Sequence, residues 1–75
     1  MTFDKASFEA GYLIAVANIM HLHGDEVIAE DVLREGDIRA NAVRRLDVND
    51  FDARPLRKLF REMKRKAAYD ALRHV

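Results

Sequence analysis

An all-α fold, a small helical bundle of three to four helices with a long apolar first helix and a basic last helix, is what this sequence predicts. Three observations carry it. Apolar residues recur at the three- and four-residue spacing of helix faces, and no stretch shows the strict alternation of a half-buried strand. Gly24 and Gly36 are each followed by an aspartate, a pairing that stops one helix and caps the next. The chain has 75 residues, 49% hydrophobic and 35% charged. That composition is globular, and the length suits one core, so residues 1–75 are expected to form a single helical domain.

The first helix is expected from near Asp4 to Gly24. Phe8, Tyr12, Ala15, Ile19 and Leu22 form one helical stripe, widened by Leu13, Val16 and Met20, while Ser7, Gly11, Asn18 and His21 mark the least apolar side. So broad an apolar arc suits the central helix of a bundle, or a helix shared between two subunits in a homodimer. Its most apolar run, Ala10 to Leu22, falls short of the roughly 20 residues that cross a bilayer. Asp4 and Glu9 before it, with only Lys5 positive, do not fit a signal peptide. The expectation is a buried helix in a soluble, cytoplasmic protein with no membrane partner.

Asp25 caps a second helix over Glu26 to Glu35, burying Ile28, Ala29, Val32 and Leu33 and presenting Glu26, Glu30 and Asp31 on its other face. Gly36 and Asp37 repeat the stop-and-cap signal. A short third helix then covers Ile38 to Leu46, with Ile38, Ala42 and Leu46 inward. Asp47 to Asp52 reads as a loop, with Val48 and Phe51 against the core and Asp50 or Asp52 as the next cap. Pro55 fits the first turn of the last helix. That helix extends to about Arg73 with an apolar stripe of Leu56, Leu59, Phe60, Met63, Ala67 and Leu72.

Net charge is zero, yet the charges are segregated: residues 1–53 are predominantly acidic and residues 54–75 predominantly basic. Arg54, Arg57, Lys58, Arg61, Lys64, Arg65 and Lys66 crowd the last helix. This density fits phosphate neutralisation on nucleic acid or a charged protein-partner surface, and equally a solvated face partly paired with the acidic second helix. Tyr69 lies beside the basic cluster, where an exposed tyrosine among arginines makes an interface anchor. The acidic stretch through Glu30 and Asp31 is the second candidate surface, able to face a basic partner or imitate a phosphate backbone. A helix-turn-helix centred on Gly36 fails, because Asp31, Glu35, Asp37 and Arg45 occupy slots that should be apolar.

Reactive chemistry has little to work with. There is no cysteine, and Thr2 and Ser7 are the only aliphatic hydroxyls. Gly11, Gly24 and Gly36 are isolated, so no phosphate loop exists. His21 and His23 stand two residues apart and point about 200° away from each other on a helix, unlike the i, i+4 pair of a helical metal site. No catalytic, cofactor-binding or metal residues are assigned.

The segment Val27-Ile28-Ala29-Glu30-Asp31-Val32-Leu33-Arg34-Glu35 resembles part of the second helix of the theta accessory subunit of bacterial DNA polymerase III. Leu56-Arg57-Lys58-Leu59-Phe60-Arg61-Glu62 is similar to part of that family's third helix. The resemblance implies a small three-helix protein that binds a proofreading exonuclease subunit, and it transfers no site residues. Here the segments are separated by an additional short helix, a departure from the family.

These residues together predict a non-enzymatic protein-binding module: an accessory subunit, adaptor or small inhibitor of a larger protein, of a size common among phage and mobile-element proteins. The expected contact residues are Arg57, Arg61, Lys64, Arg65 and Tyr69, followed by Glu30 and Asp31. The alternative is nucleic-acid binding through phosphate contacts from the same basic helix.

Overall fold

Short polar side chains and glycines set the helix ends in a computed structural model that describes residues 4–73. The helices are α1 (Lys5–His23), α2 (Glu26–Glu35), α3 (Ala42–Arg45) and α4 (Asp50–Arg73). The Asp4 carboxylate caps α1, accepting from the Ser7 amide at 3.2 Å and the Ser7 hydroxyl at 2.8 Å. Gly24 takes φ +63°, donates its amide to the Met20 carbonyl at 2.9 Å and closes the helix. Asp25 follows as cap of α2, accepting from the Ile28 amide at 3.0 Å. Each of these satisfies a backbone group that a helix end would otherwise leave unpaired.

Gly36 does something different from Gly24. It stays right-handed at φ −73°, and Asp37 takes the positive φ of 52° instead. Gly36 is there for space: a Cβ at this position would stand 2.4 Å from Cε1 of Tyr12. The Tyr12 ring lies against this turn while its hydroxyl donates to the Val32 carbonyl in the last turn of α2. After a left-handed residue at Asp37, the chain forms α3 only over Ala42–Arg45, shorter than the expected Ile38 to Leu46. Ile38 and Ala42 are nevertheless buried and Leu46 is half-buried, so the inward face of the segment is as expected.

The start of α4 also differs from expectation. Asn49 is the cap, rather than Asp50 or Asp52. Its Oδ1 accepts from the Asp52 amide at 3.0 Å, and its Nδ2 donates to the Asp52 carboxylate at 2.9 Å. This reciprocal pair resembles a capping box, here made with an aspartate at the third helical position. Because α4 opens at Asp50, Pro55 falls in its second turn, and the Phe51 carbonyl has no α-helical amide donor. Val48 packs on the core, but Phe51 is exposed and stacks on His21, ring centroids 3.9 Å apart.

α1 is the central element, packing against α2, α3 and α4. The core joins Leu13, Val16 and Ala17 of α1 to Ala29, Leu33, Ala42, Val43, Leu56 and Leu59. Relative to the expected arc of α1, Leu13 and Val16, which widened it, are buried, the least apolar side of Ser7, Gly11, Asn18 and His21 is exposed as expected, and the rest of the stripe is shifted. Phe8, Ala15 and Leu22 of the anticipated stripe are exposed, and the buried line runs through Glu9, Leu13, Val16 and Ala17. Ile28 and Leu72, also expected inward, are exposed as well. No strand occurs among the described residues, and none of their helices is long and apolar enough to cross a membrane.

The molecule is elongated. Its radius of gyration is 13.2 Å, against about 11 Å for a compact domain of this length. The excess lies in α4, whose 24 residues span about 36 Å. Every residue from Lys64 to Arg73 is exposed, so the last turns project beyond the bundle.

Candidate interaction surface

The acidic and basic halves meet, but only along one edge. Lys58 on α4 contacts Glu26 on α2 at 2.7 Å, and Lys66 contacts Glu30 at 2.6 Å. The hydrogen bond and the charge of Glu26 raise the Lys58 pKa above its ordinary value. Glu30 was expected on an outward acidic face. It is instead buried, with only 6% of its side chain exposed, and its Oε1 has no hydrogen-bond partner among the described residues. Asp31 stays exposed and pairs along its own helix with Arg34 at 3.3 Å. An outward acidic surface built on both Glu30 and Asp31 therefore does not form.

Other charges are also engaged within the fold. The buried Glu9 contacts Arg45 at 3.1 Å, and Nε2 of His21 contacts Asp52 at 3.2 Å. Arg65 holds Glu62 at 2.8 Å, and its hydrogen bond is the main cause that lowers the Glu62 carboxyl below its ordinary range. The same contact raises Arg65.

After this pairing, Arg54, Arg57, Arg61 and Lys64 take part in no ion pair among the described residues. Their spacing puts them on one exposed stripe of α4, and Ala68 and Leu72 continue it to the projecting end. Arg65 and Tyr69 flank the stripe, with the Arg73 guanidinium 5.9 Å from the Tyr69 ring centre. Tyr69 is 58% exposed and Leu72 75%. The face thus grades from cationic in the middle of the helix to apolar at its end. Arg44 adds to it from α3, lining with Arg57 a shallow groove floored by Val43. Sequence reasoning missed Arg44, since only the packing of α3 beside α4 brings these residues together.

Five of the seven expected contact residues, Arg57, Arg61, Lys64, Arg65 and Tyr69, are therefore exposed on the outward side of α4, while Glu30 is withdrawn. No group of three or more His, Asp or Glu side chains among the described residues is placed to hold a metal ion. Thr2 lies outside the described residues; Ser7 serves the α1 cap. Comparison with family models, curated proteins and solved structures returns no match.

Proposed function

We propose that this chain is a non-enzymatic, cytoplasmic protein-binding module that docks the outward face of α4 against an acidic surface on a larger protein. The observation that carries this is the composition of the projecting helix. Cations at Arg57, Arg61 and Lys64 that make no ion pair among the described residues run into exposed Tyr69 and Leu72, an arrangement with little use in an isolated molecule. Beyond the Lys66–Glu30 pair, about two turns of helix run on to Arg73, and an extension of that length held by its own backbone alone is marginal in water. A partner that covers the apolar end and neutralises the cationic middle would stabilise it. Tyrosine and arginine are also the side chains most enriched among residues that dominate protein interfaces.

The segments resembling theta lie in α2 and the first half of α4, which makes a proofreading exonuclease subunit the first partner to try. Phosphate binding is the second reading, favoured by Arg44 joining Arg57 at one groove. Leu72 speaks for a protein, because a phosphate backbone offers nothing to cover it, whereas Tyr69 can stack on a base as well as on a protein side chain.

The test compares wild type with Arg57→Glu/Arg61→Glu/Lys64→Glu in quantitative affinity purification, alongside fluorescence anisotropy with labelled duplex DNA and single-stranded RNA. Anisotropy is read at about 50 and 200 mM salt, a range over which phosphate-driven affinity falls by orders of magnitude. A specific protein retained by wild type and lost by the variant is the expected result. Salt-sensitive nucleic-acid binding lost by the same variant would put the second reading first. A partner held equally by both proteins would sink the assignment to α4.

A further inference from the structure

The geometry points to a second surface, on the opposite element: the outer face of α1 is where two copies of this chain pair. Ser7, Gly11, Ile14, Ala15, Asn18 and Leu22 are all exposed. From Ala6 to His23 the only Asp, Glu, Lys or Arg is Glu9, which is buried against Arg45. The solvent side of this helix therefore carries no carboxylate, ammonium or guanidinium over more than four turns, in a chain that is 35% charged. Beside the small polar side chains of Ser7 and Asn18 this side exposes Ile14, Ala15 and Leu22, an uncharged surface that a second helix can cover without stranding an ion.

Gly11 is an independent sign that something approaches closely. It does not have the positive φ that glycine permits, and a Cβ there would meet nothing within 4 Å. The monomer thus gains nothing from glycine here, although glycine within a helix is costly relative to alanine. A neighbour packed closely over this position gives the missing side chain a use.

The spacing identifies the occupant as a second copy. In an antiparallel pair with a two-fold axis between Ile14 and Ala15, Leu22 of one copy faces Ser7 of the other. Asn18 faces Gly11, and Ile14 faces Ala15. Every larger side chain meets a smaller one, and the axis generates each contact twice, as an isologous interface requires. The face has no charge with which to repel its own copy, whereas the exposed faces of α2 and α4 are charged. An exposed half-cylinder of a 19-residue helix offers about 450 Å² per copy, so about 900 Å² in total, below the roughly 1,600 Å² of a standard interface. The dimer is accordingly weak and concentration-dependent, and α4 stays free for its own partner.

Sedimentation velocity from about 5 μM to about 1 mM tests this across the range where a weak dimer forms. The expected result is a shift from monomer to dimer that Ala15→Glu abolishes while the helical circular dichroism is retained. Gly11→Ala should raise the thermal midpoint of the dilute protein yet weaken pairing by about tenfold, through one added methyl at a close crossing. The chain has no cysteine, so Ala15→Cys should oxidise readily to a linked dimer while Arg61→Cys does not. A monomer at the highest concentration, a dimer indifferent to Ala15→Glu, or equal cross-linking at both positions would overturn the inference.

Discussion

Replacing Gly36 by alanine separates the two roles a glycine can play at a helix end. Position 36 is right-handed at φ −73°, so backbone preference alone makes Gly36→Ala stabilising by about 0.5–1 kcal/mol. The added methyl, however, would stand 2.4 Å from Cε1 and 2.8 Å from Cζ of Tyr12. The ring must swing away, losing its packing and its hydrogen bond to the Val32 carbonyl. Overpacking of this kind costs about 1–3 kcal/mol, and a net hydrogen bond contributes about 1 kcal/mol more. The balance is a loss of about 2 kcal/mol, or a fall in midpoint near 10 °C for a domain of this size. Thermal and urea unfolding of Gly36→Ala, Tyr12→Leu and the double variant check it. Tyr12→Leu removes the obstacle, so alanine at 36 should then be neutral or mildly stabilising. Gly24→Ala, at φ +63° with nothing within 4 Å, should lose about 1 kcal/mol through backbone strain in either background. A stabilised Gly36→Ala single variant, or a cost unchanged by Tyr12→Leu, would refute the steric account.

Two further outcomes follow from the charges. Lys66→Ala removes the only side-chain hydrogen-bond donor, among the described residues, to a Glu30 carboxylate that is almost wholly buried. With Lys66 itself half in water, the expected loss is about 1–2 kcal/mol, below the 3–5 kcal/mol of a fully buried pair, and urea unfolding should show it shrink when Glu30→Gln is combined with it. Glu62 is lowered from its ordinary 4.5 by Arg65, and Asp4 from 3.8 by Ser7. A lowered carboxyl stabilises the fold above its unfolded pKa, and that contribution is lost as pH falls through the folded value. Melting temperature should therefore decline as the solution is acidified below pH 4.5, and Arg65→Ala should make the decline shallower; an identical slope in the two proteins would exclude Glu62 as a contributor.

Helix ends were legible because capping is local. The Gly24 and Asp25 signals each act over three or four residues, and the boundaries of α1 and α2 match the reading of the sequence. At the start of α4 the acidic neighbours Asp50 and Asp52 compete with Asn49 as cap by residue type, although the Asn-x-x-Asp spacing of the observed cap is present in the chain. The basic stripe of α4 was likewise readable, since its residues share one helix and one period. Arg44 was not, because it comes from another helix.

What the sequence alone determined, then, is the all-α class, most helix ends, and a cationic last helix. Tertiary packing decided which side of α1 is buried. An amphipathic helix carries its phase in its own pattern, but α1 has only a weak polar side at Ser7, Gly11, Asn18 and His21, which marks the face toward water without fixing which apolar residues lie innermost. Contacts with α2, α3 and α4 select the rotation that buries Leu13, Val16 and Ala17 and seats Glu9 on Arg45. The same packing decided the fate of the charges. Glu30 and Lys66 are 36 residues apart in the chain; only the approach of α2 to α4 withdraws that carboxylate and leaves Arg57, Arg61 and Lys64 facing solvent.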